Sequence, residues 1–412
     1  MKSFRLILAT AAALAGFVAA TPALAQTATA IYDGPVIDPI DGTVRGTITF
    51  TVKVAVNKAG AANWTFTGKA LLPNATVTFS HKAVDLPLSG DIEISGKTGE
   101  KLSLTYSPAG FMGSLTGGKS GGTLGVNAHL NTFADKNNKD AQDVLKNIRG
   151  VYNVLLADAQ MRGYLSLTVG NLGAVKIAGR LEDGTAVSGS AKLVPGGGGA
   201  SVAFQRPLYS KKGSLSGWLW GDPVTGQLEL YDPMIPVWWE SADPKRGIFR
   251  DPLGVEGGRY GNGVTAPELL PAMVLNSSLN TTLLPDPGEG WTGSWVASAF
   301  PRVDIRNTNG KFSIVKGKAP KKVGTVYDYA AAELNPSMAT ISFNPKTGLF
   351  KGSFKMYFDG WNAAGKPQHK VFSVPYTGVF YPHGGNLWGS GMGTTTINKG
   401  KTGVIVYTNL PM

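Results

Sequence analysis

From Val44 to Val56 every even position is apolar or glycine: Val44, Gly46, Ile48, Phe50, Val52, Val54 and Val56. The odd positions between them hold Arg45, Thr47, Thr49, Thr51, Lys53 and Ala55. Side chains alternate across a β-strand, so this run offers one face to a core and the other to water, and a helical period of 3.6 does not fit it. The sequence Asn57, Lys58, Ala59, Gly60 then reads as a turn. A chain that opens this way is committed to sheets.

The same unit recurs three times as a strand, a turn, a second strand with an apolar-x-Gly-x-apolar centre, and a third strand. Its copies run over residues 47–50, 66–70 and 77–80, then 164–167, 177–181 and 186–188, then 340–343, 350–354 and 371–373. Glu182-Asp183-Gly184 supplies a hairpin turn in the second copy and residues 344–348 a turn in the third. Gly68, Gly179 and Gly352 occupy corresponding places. Glycine inside a strand is tolerated where a sheet bends or a bulky neighbour crosses over it, so these positions predict curled meanders. The expected fold class is all-β: antiparallel meanders curled into small barrel- or sandwich-like domains, with one short connector helix. The 55 glycines and 25 prolines fit many short strands joined by turns.

The helix is expected over 140–149, where Ala141, Val144, Leu145 and Ile148 fall at i, i+3, i+4 and i+7, with Asp140 as its cap and Gly150 as its end. The polar run 135–139 before it marks a domain boundary. An N-terminal meander domain is therefore expected over 26–140 and a larger β domain over 141–412. Within the latter, residues 232–300 break the alternation with Pro233, Pro236, Pro252, Pro285 and Pro287 and with Trp238, Trp239, Trp291 and Trp295. A long irregular segment in a compact domain is often functional. These four tryptophans are the candidate ligand-binding residues.

Residues 1–25 have the layout of a cleaved export signal. Lys2 and Arg5 precede an apolar stretch from Leu6 to Ala20, and Ala23-Leu24-Ala25 forms an A-x-A cleavage site before Gln26. No other run is long and apolar enough for a membrane-spanning helix. The chain contains no cysteine, which removes thiol nucleophiles, thiolate metal sites and a lipid on an N-terminal cysteine. The net charge of +12, with lysines such as Lys316, Lys318, Lys321 and Lys322 near turns, suits a solvated surface or contact with an anionic envelope polymer or polysaccharide. Nucleic acid is not expected of an exported chain without a binding motif.

Several motifs match chemistry by spelling alone. Residues 113–120, GSLTGGKS, satisfy the phosphate-loop expression, and 118–122, GKSGG, satisfy that of the nucleophile elbow. Both require a helix after the loop, and the residues that follow read as a strand. The four histidines, His81, His129, His369 and His383, show no zinc-site spacing. Residues 135–140 lack the ligand order of a calcium loop because Lys139 stands at the third ligand position. Glu229, Asp232, Glu240 and Asp243 cluster beside tryptophans, as a glycosidase pair would, but their separation is not legible in sequence. Trp218 and Trp220, two apart, share one face of one strand, which favours packing over a sugar platform. No cofactor or metal is expected.

Residues 163–185, the following stretch 208–218, and residues 344–354 together resemble uncharacterised Gly-rich exported bacterial β-repeat proteins; the likeness covers roughly residues 150–220 and 338–393. The resemblance implies a cell-surface or secreted β-repeat protein and carries over no catalytic residue. The expected function is that of a non-catalytic exported protein, on the cell surface, outside the cell or in the periplasm, with a structural, adhesion or polymer-binding role. The alternatives are an outer-membrane β-barrel, against which the C-terminal sequence lacks a terminal aromatic residue, and a polysaccharide-acting enzyme.

Overall fold

The computed structural model describes residues 26–412 apart from 57–61, 74, 85–90, 108–109, 197–198, 262–272, 279–291, 296–301, 309–310, 325, 330–333, 384–385, 398–399 and 410–412. Among the described residues the sheets are antiparallel throughout and there is one α-helix. The protein is all-β, and its sheets curl into barrel-like shapes.

The first sheet comprises β1 (Gln26–Ile37), β2 (Val44–Val56), β3 (Ala62–Leu71), β4 (Thr76–Val84), β5 (Asp91–Ser95), β6 (Lys101–Ser107), β7 (Gly110–Thr116) and β8 (Leu124–Leu130). Neighbours in sequence are neighbours in space, and β1 pairs with β8 through Tyr32↔Leu130 and Val36↔Val126. A bridge between Phe79 and Gly96 brings β4 against the end of β5, so the meander curls into an eight-stranded barrel. The even positions of β2 from Val44 to Val54 are buried and the odd ones face outward, as the alternation requires. Tyr32, Phe50 and Phe111 pack ring against ring within this core, with centroids 4.8–5.3 Å apart.

The helix α1 (Lys139–Ile148) follows. Its cap is Asn138, whose side chain accepts from the Ala141 amide at 3.1 Å, two residues before the expected Asp140. The asparagine oxygen reaches a free amide of the first turn, and this sets the start. Ala141, Leu145 and Ile148 point into the second core.

That core belongs to β9 (Gly150–Ala157), β10 (Met161–Val169), β11 (Ala174–Leu181), β12 (Ala186–Gly196), β13 (Gly199–Leu208), β14 (Gly213–Gly221), β15 (Leu228–Leu230), β16 (Val237–Asp243) and β17 (Gly247–Tyr260). Pairings β13–β14, β14–β16, β16–β17 and β17–β9 close eight of these strands into a ring, with β15 as a flap on β14. Two closing strands lie inside the stretch expected to be irregular. Pro252 sits in β17 opposite Trp238, and paired tryptophans replace the usual apolar–polar contrast, so the period of two is hidden there. It is present in the fold: Val237, Trp239 and Ser241 are buried, and Trp238, Glu240 and Ala242 face the other way.

The third sheet contains β18 (Met273–Ser278), β19 (Thr292–Trp295), β20 (Arg302–Thr308), β21 (Lys311–Ile314), β24 (Thr340–Phe343), β25 (Leu349–Trp361), β26 (Pro367–His383), β27 (Asn386–Ile397) and β28 (Gly400–Asn409); a separate hairpin pairs β22 (Lys321–Val323) with β23 (Val326–Asp328). Strand β18 pairs with β28, and the Phe312 and Phe343 rings meet edge-on at 4.4 Å where β21 faces β24, so this sheet also curls around a core. The 141–412 stretch, expected as one larger domain, thus carries two sheets with separate cores.

The three expected repeats are the meanders β2–β3–β4, β10–β11–β12 and β24–β25–β26. A Cβ at Gly68 would collide with Phe50, and one at Gly352 with the Thr340 carbonyl oxygen and the Tyr376 ring. The glycines sit where a neighbour crosses the strand closely, as expected of strand glycines in curled sheets.

Polar outer faces join the barrels. Arg250 donates to Asp41 at 2.6 Å, to Glu240 at 2.8 Å and to Thr43, while Arg45 pairs with Asp38 and Glu240, linking the first barrel to the second. Between the second and third, Asn153 donates to the carbonyls of Thr347 (2.9 Å) and Phe380 (2.8 Å), and the Tyr164 hydroxyl donates to Thr377 at 2.7 Å. Leu155, Tyr164, Val379 and Tyr381 form an apolar patch there.

Candidate functional site

The second barrel is stoppered at both ends. At one end α1 lays Leu145 and Ile148 on the core, and Arg259 from β17 donates to the carbonyls of Asn147 and Arg149 at its C-terminus. Those carbonyls have no helical partner of their own, so the guanidinium both satisfies them and meets the negative end of the helix dipole. At the other end Arg162 holds Glu182 at 2.7 Å, Asp251 at 2.6 Å and Asp158 at 3.4 Å, and lies over the Trp239 ring. Burial pushes the Glu182 carboxyl up against the pull of Arg162. Between the two stoppers, the apolar recess lined by Tyr152, Leu167, Val175 and Val202 has room for about one water, about 20 Å³. That recess is too small for a ligand larger than water.

The sequence candidates fall in different places. Trp239 is 3% exposed, inside the second barrel, and its Nε1 donates to the Tyr209 hydroxyl at 2.9 Å. Burial, and after it the Asp183 carboxylate that accepts from this hydroxyl at 2.8 Å, push the Tyr209 pKa up. Trp238 points the other way and stacks under the Arg250 guanidinium at 3.9 Å, in the joint with the first barrel. The two rings therefore lie on opposite faces of β16 and do not share one surface. Trp291 lies outside the described residues, and of Trp295 only the strand is described: β19 pairs with the edge of β25, Ser294 opposite Asp359.

Trp218 is buried against Tyr231, ring on ring at 3.6 Å, in the patch that also holds Val44 of the first barrel. Of the four clustered carboxylates, Glu240 is held by Arg45 and Arg250, Asp232 and Asp243 accept from turn amides, and Glu229 is exposed on β15. The GSLTGGKS stretch runs from β7 through a single 3-10 turn into β8. Its Lys119 amide donates to the buried Glu100 carboxylate at 3.1 Å, so the loop surrounds an anion of its own chain.

The third barrel carries a different arrangement on its outside. Even positions of β25 such as Phe350, Phe354 and Met356 fill the core, so Tyr357, Asp359 and Trp361 lie on the opposite face, where Tyr357 is covered and Trp361 is exposed. The turn at 362–366 sets Asp359 opposite His369 and Trp361 opposite Pro367. Directly opposed residues of an antiparallel pair share a face. His369 Nδ1 meets the Asp359 carboxylate, and the Tyr329 hydroxyl donates to the same carboxylate at 3.0 Å. Burial first, and then the Asp359 carboxylate, push the Tyr329 pKa up, so the phenol stays a donor. The β22–β23 hairpin lies over this row, with Tyr327 flat on His369 at 3.4 Å and 16°. Trp361 closes the row and is 51% exposed.

Ser294, Asp359 and His369 form one row across three strands. The carboxylate stands between hydroxyl and imidazole, which lie about 10 Å apart at the backbone, so this order does not build a Ser–His–Asp relay. What the row offers is a fixed aromatic surface. Lys322 is the cross-strand partner of Tyr327, and Lys316, Lys318, Lys321 and Lys322 are all exposed.

Charge is distributed very unevenly. Residues 301–412 hold 14 Lys and Arg against 4 Asp and Glu, and residues 26–300 hold 23 against 23. The net positive charge of the chain past residue 25 therefore resides in the last third, the part that carries the aromatic row. No protein-family model matches this chain, and no curated protein is similar to it.

Proposed function

We propose that this is an exported, non-catalytic β-barrel protein of the cell exterior or envelope that binds an anionic polymer through the outside of its third barrel. The observation that carries the reading is the charge asymmetry: ten net positive charges in residues 301–412 and none in 26–300. A one-sided field concentrates polyanions and orients them on approach. The filled second barrel supports an external rather than an internal site. Polar outer faces, such as Arg45, Thr47, Thr49, Thr51 and Lys53 on β2, support a water-facing barrel, since a transmembrane barrel requires an apolar outer band. The amino-terminal signal supports export.

The test is chromatography of the chain from Gln26 on a polyanion matrix in about 50 mM salt, where screening is weak. Retention with elution by salt is expected, and reversing Lys316, Lys318, Lys321 and Lys322 to glutamate moves elution to lower salt. Flow-through of the unaltered protein would overturn the reading. Fractionation of the producing cells with N-terminal sequencing checks export: a chain kept in the cytoplasm with Met1 intact would sink it.

A further inference from the structure

Resting on the basic-face reading, we infer that the polymer is an acidic polysaccharide, gripped at the Trp361–Tyr327 row with Lys322 meeting its carboxylates. A site for charge alone needs only lysines. Here an indole that is 51% exposed ends a row whose other members are locked: Asp359 holds His369, Tyr329 holds Asp359, and His369 supports Tyr327 from beneath. Asp359 and Trp361 are two residues apart on one face, about 7 Å, and the His369 strand lies about 5 Å to the side. Tyr327 and Trp361 are thus spaced on the scale of a disaccharide. The C–H face of a pyranose is apolar and rigid, and it matches a preordered ring that loses little entropy on contact.

The lysine cross-strand from Tyr327 sets an ammonium at the edge of that platform, where a uronate carboxylate would project. Lysine is a point charge that meets carboxylate and phosphate alike, so the preference for a polysaccharide rests on the aromatic row beside it. A bilayer fits less well: among its described residues the hairpin exposes two large apolar side chains, Val323 and Val326, and Asp328 faces Lys321 beside them. That apolar area is small beside even a single acyl chain, which alone holds a membrane only marginally.

The experiment titrates the chain from Gln26 with polygalacturonate, with polyphosphate of matched charge, with neutral dextran and with anionic lipid vesicles. Polygalacturonate is expected to bind more tightly than the other three. Trp361→Ala should weaken it roughly tenfold, with binding to polyphosphate changed less than about twofold, and Trp361→Phe should keep most of the affinity. Trp361 is exposed, and an unchanged melting temperature shows that the variant is folded. Equal binding of polygalacturonate and polyphosphate, indifferent to Trp361, would overturn the inference and leave the basic-face reading standing. Dextran binding as tightly as polygalacturonate, or vesicles binding more tightly, also overturns it. If neither polyanion binds, both readings fall.

Discussion

Glu100 lies buried in the first barrel beneath the glycine-rich turn, and replacing it with glutamine changes one oxygen for one amide. Its carboxylate accepts from the Thr98 amide (3.2 Å), the Thr98 hydroxyl (2.6 Å) and the Lys119 amide (3.1 Å). The two backbone amides address different oxygens, so in Glu100→Gln one of them faces an NH₂ donor. An orphaned buried N–H costs about 1–3 kcal/mol, and loss of the charge weakens the remaining bonds by about 1 kcal/mol more. The turn lies directly on the carboxylate: Gly118 has φ of 51°, and a Cβ there would lie 2.7 Å from the Glu100 carboxyl. A loss of about 2–4 kcal/mol is expected, or roughly 10–20 °C in the melting temperature of a barrel of about 100 residues.

The pH dependence provides a second arm. Burial alone would raise the Glu100 pKa, but the bonds from Thr98 and the Lys119 amide hold it below the ordinary carboxylate value. A depressed pKa stabilises the fold fully above the unfolded value, about 4.3, and that contribution disappears as pH falls through the folded value. The gap between the native protein and Glu100→Gln should therefore be constant from about pH 7 to about pH 5 and close below about pH 4. Calorimetry across this range, with amide exchange over residues 96–121 to assign the transition, measures both arms. Equal melting temperatures at neutral pH, or a gap that persists in acid, would refute the argument.

Other substitutions test the cores and the joints. Gly352→Ala drives a methyl onto the Thr340 carbonyl oxygen and the Tyr376 hydroxyl, and should lower the urea midpoint by the equivalent of about 1–3 kcal/mol or more, with Lys351→Ala on the exposed face within about 0.5 kcal/mol of the parent. Asn153→Ala leaves one buried and one half-buried carbonyl of the third barrel without their donor and should cost about 2–4 kcal/mol, seen as a third-barrel transition that separates in calorimetry. Arg259→Ala uncaps α1 and should raise amide exchange across 144–148 by the equivalent of about 1–2 kcal/mol; unchanged exchange would show that the cap is idle.

The sequence makes strands legible where one face is apolar and the other polar. Thus β2 follows from its alternation alone, and all three repeated meanders lie where the turn residues and central glycines place them. Strand β17 was hidden because Pro252 and four glycines interrupt the contrast that reveals a period of two. Closure of the second barrel, by pairing β9 with β17 about 100 residues later, has no local signature at all.

The aromatic row was legible in part. A hairpin turn at 362–366 places Asp359 across from His369 by simple counting, and Tyr357, Asp359 and Trp361 share a face by parity. The arrival of Tyr327 and Tyr329 from another hairpin was not, because it depends on tertiary packing. The tryptophans at 238 and 239 read as a pair in sequence, yet successive strand residues point to opposite faces, one into the core and one into a joint.

These features bear on where recognition can occur at all. Small up-and-down barrels recognise ligands inside when the lumen is empty and outside when it is full. In the second barrel a helix stoppers one end and an arginine with three carboxylates stoppers the other, and a core of buried apolar side chains lies between them. The outer faces that pack together are held by pairs such as Arg250–Asp41 and by Asn153, so the barrels meet through directional polar contacts rather than apolar area alone. Such joints fix orientation, because a hydrogen bond fails with a small rotation where an apolar contact does not. Under the proposed reading, a polyanion is expected to meet the last barrel rather than the other two, because the net charge lies in that part of the chain.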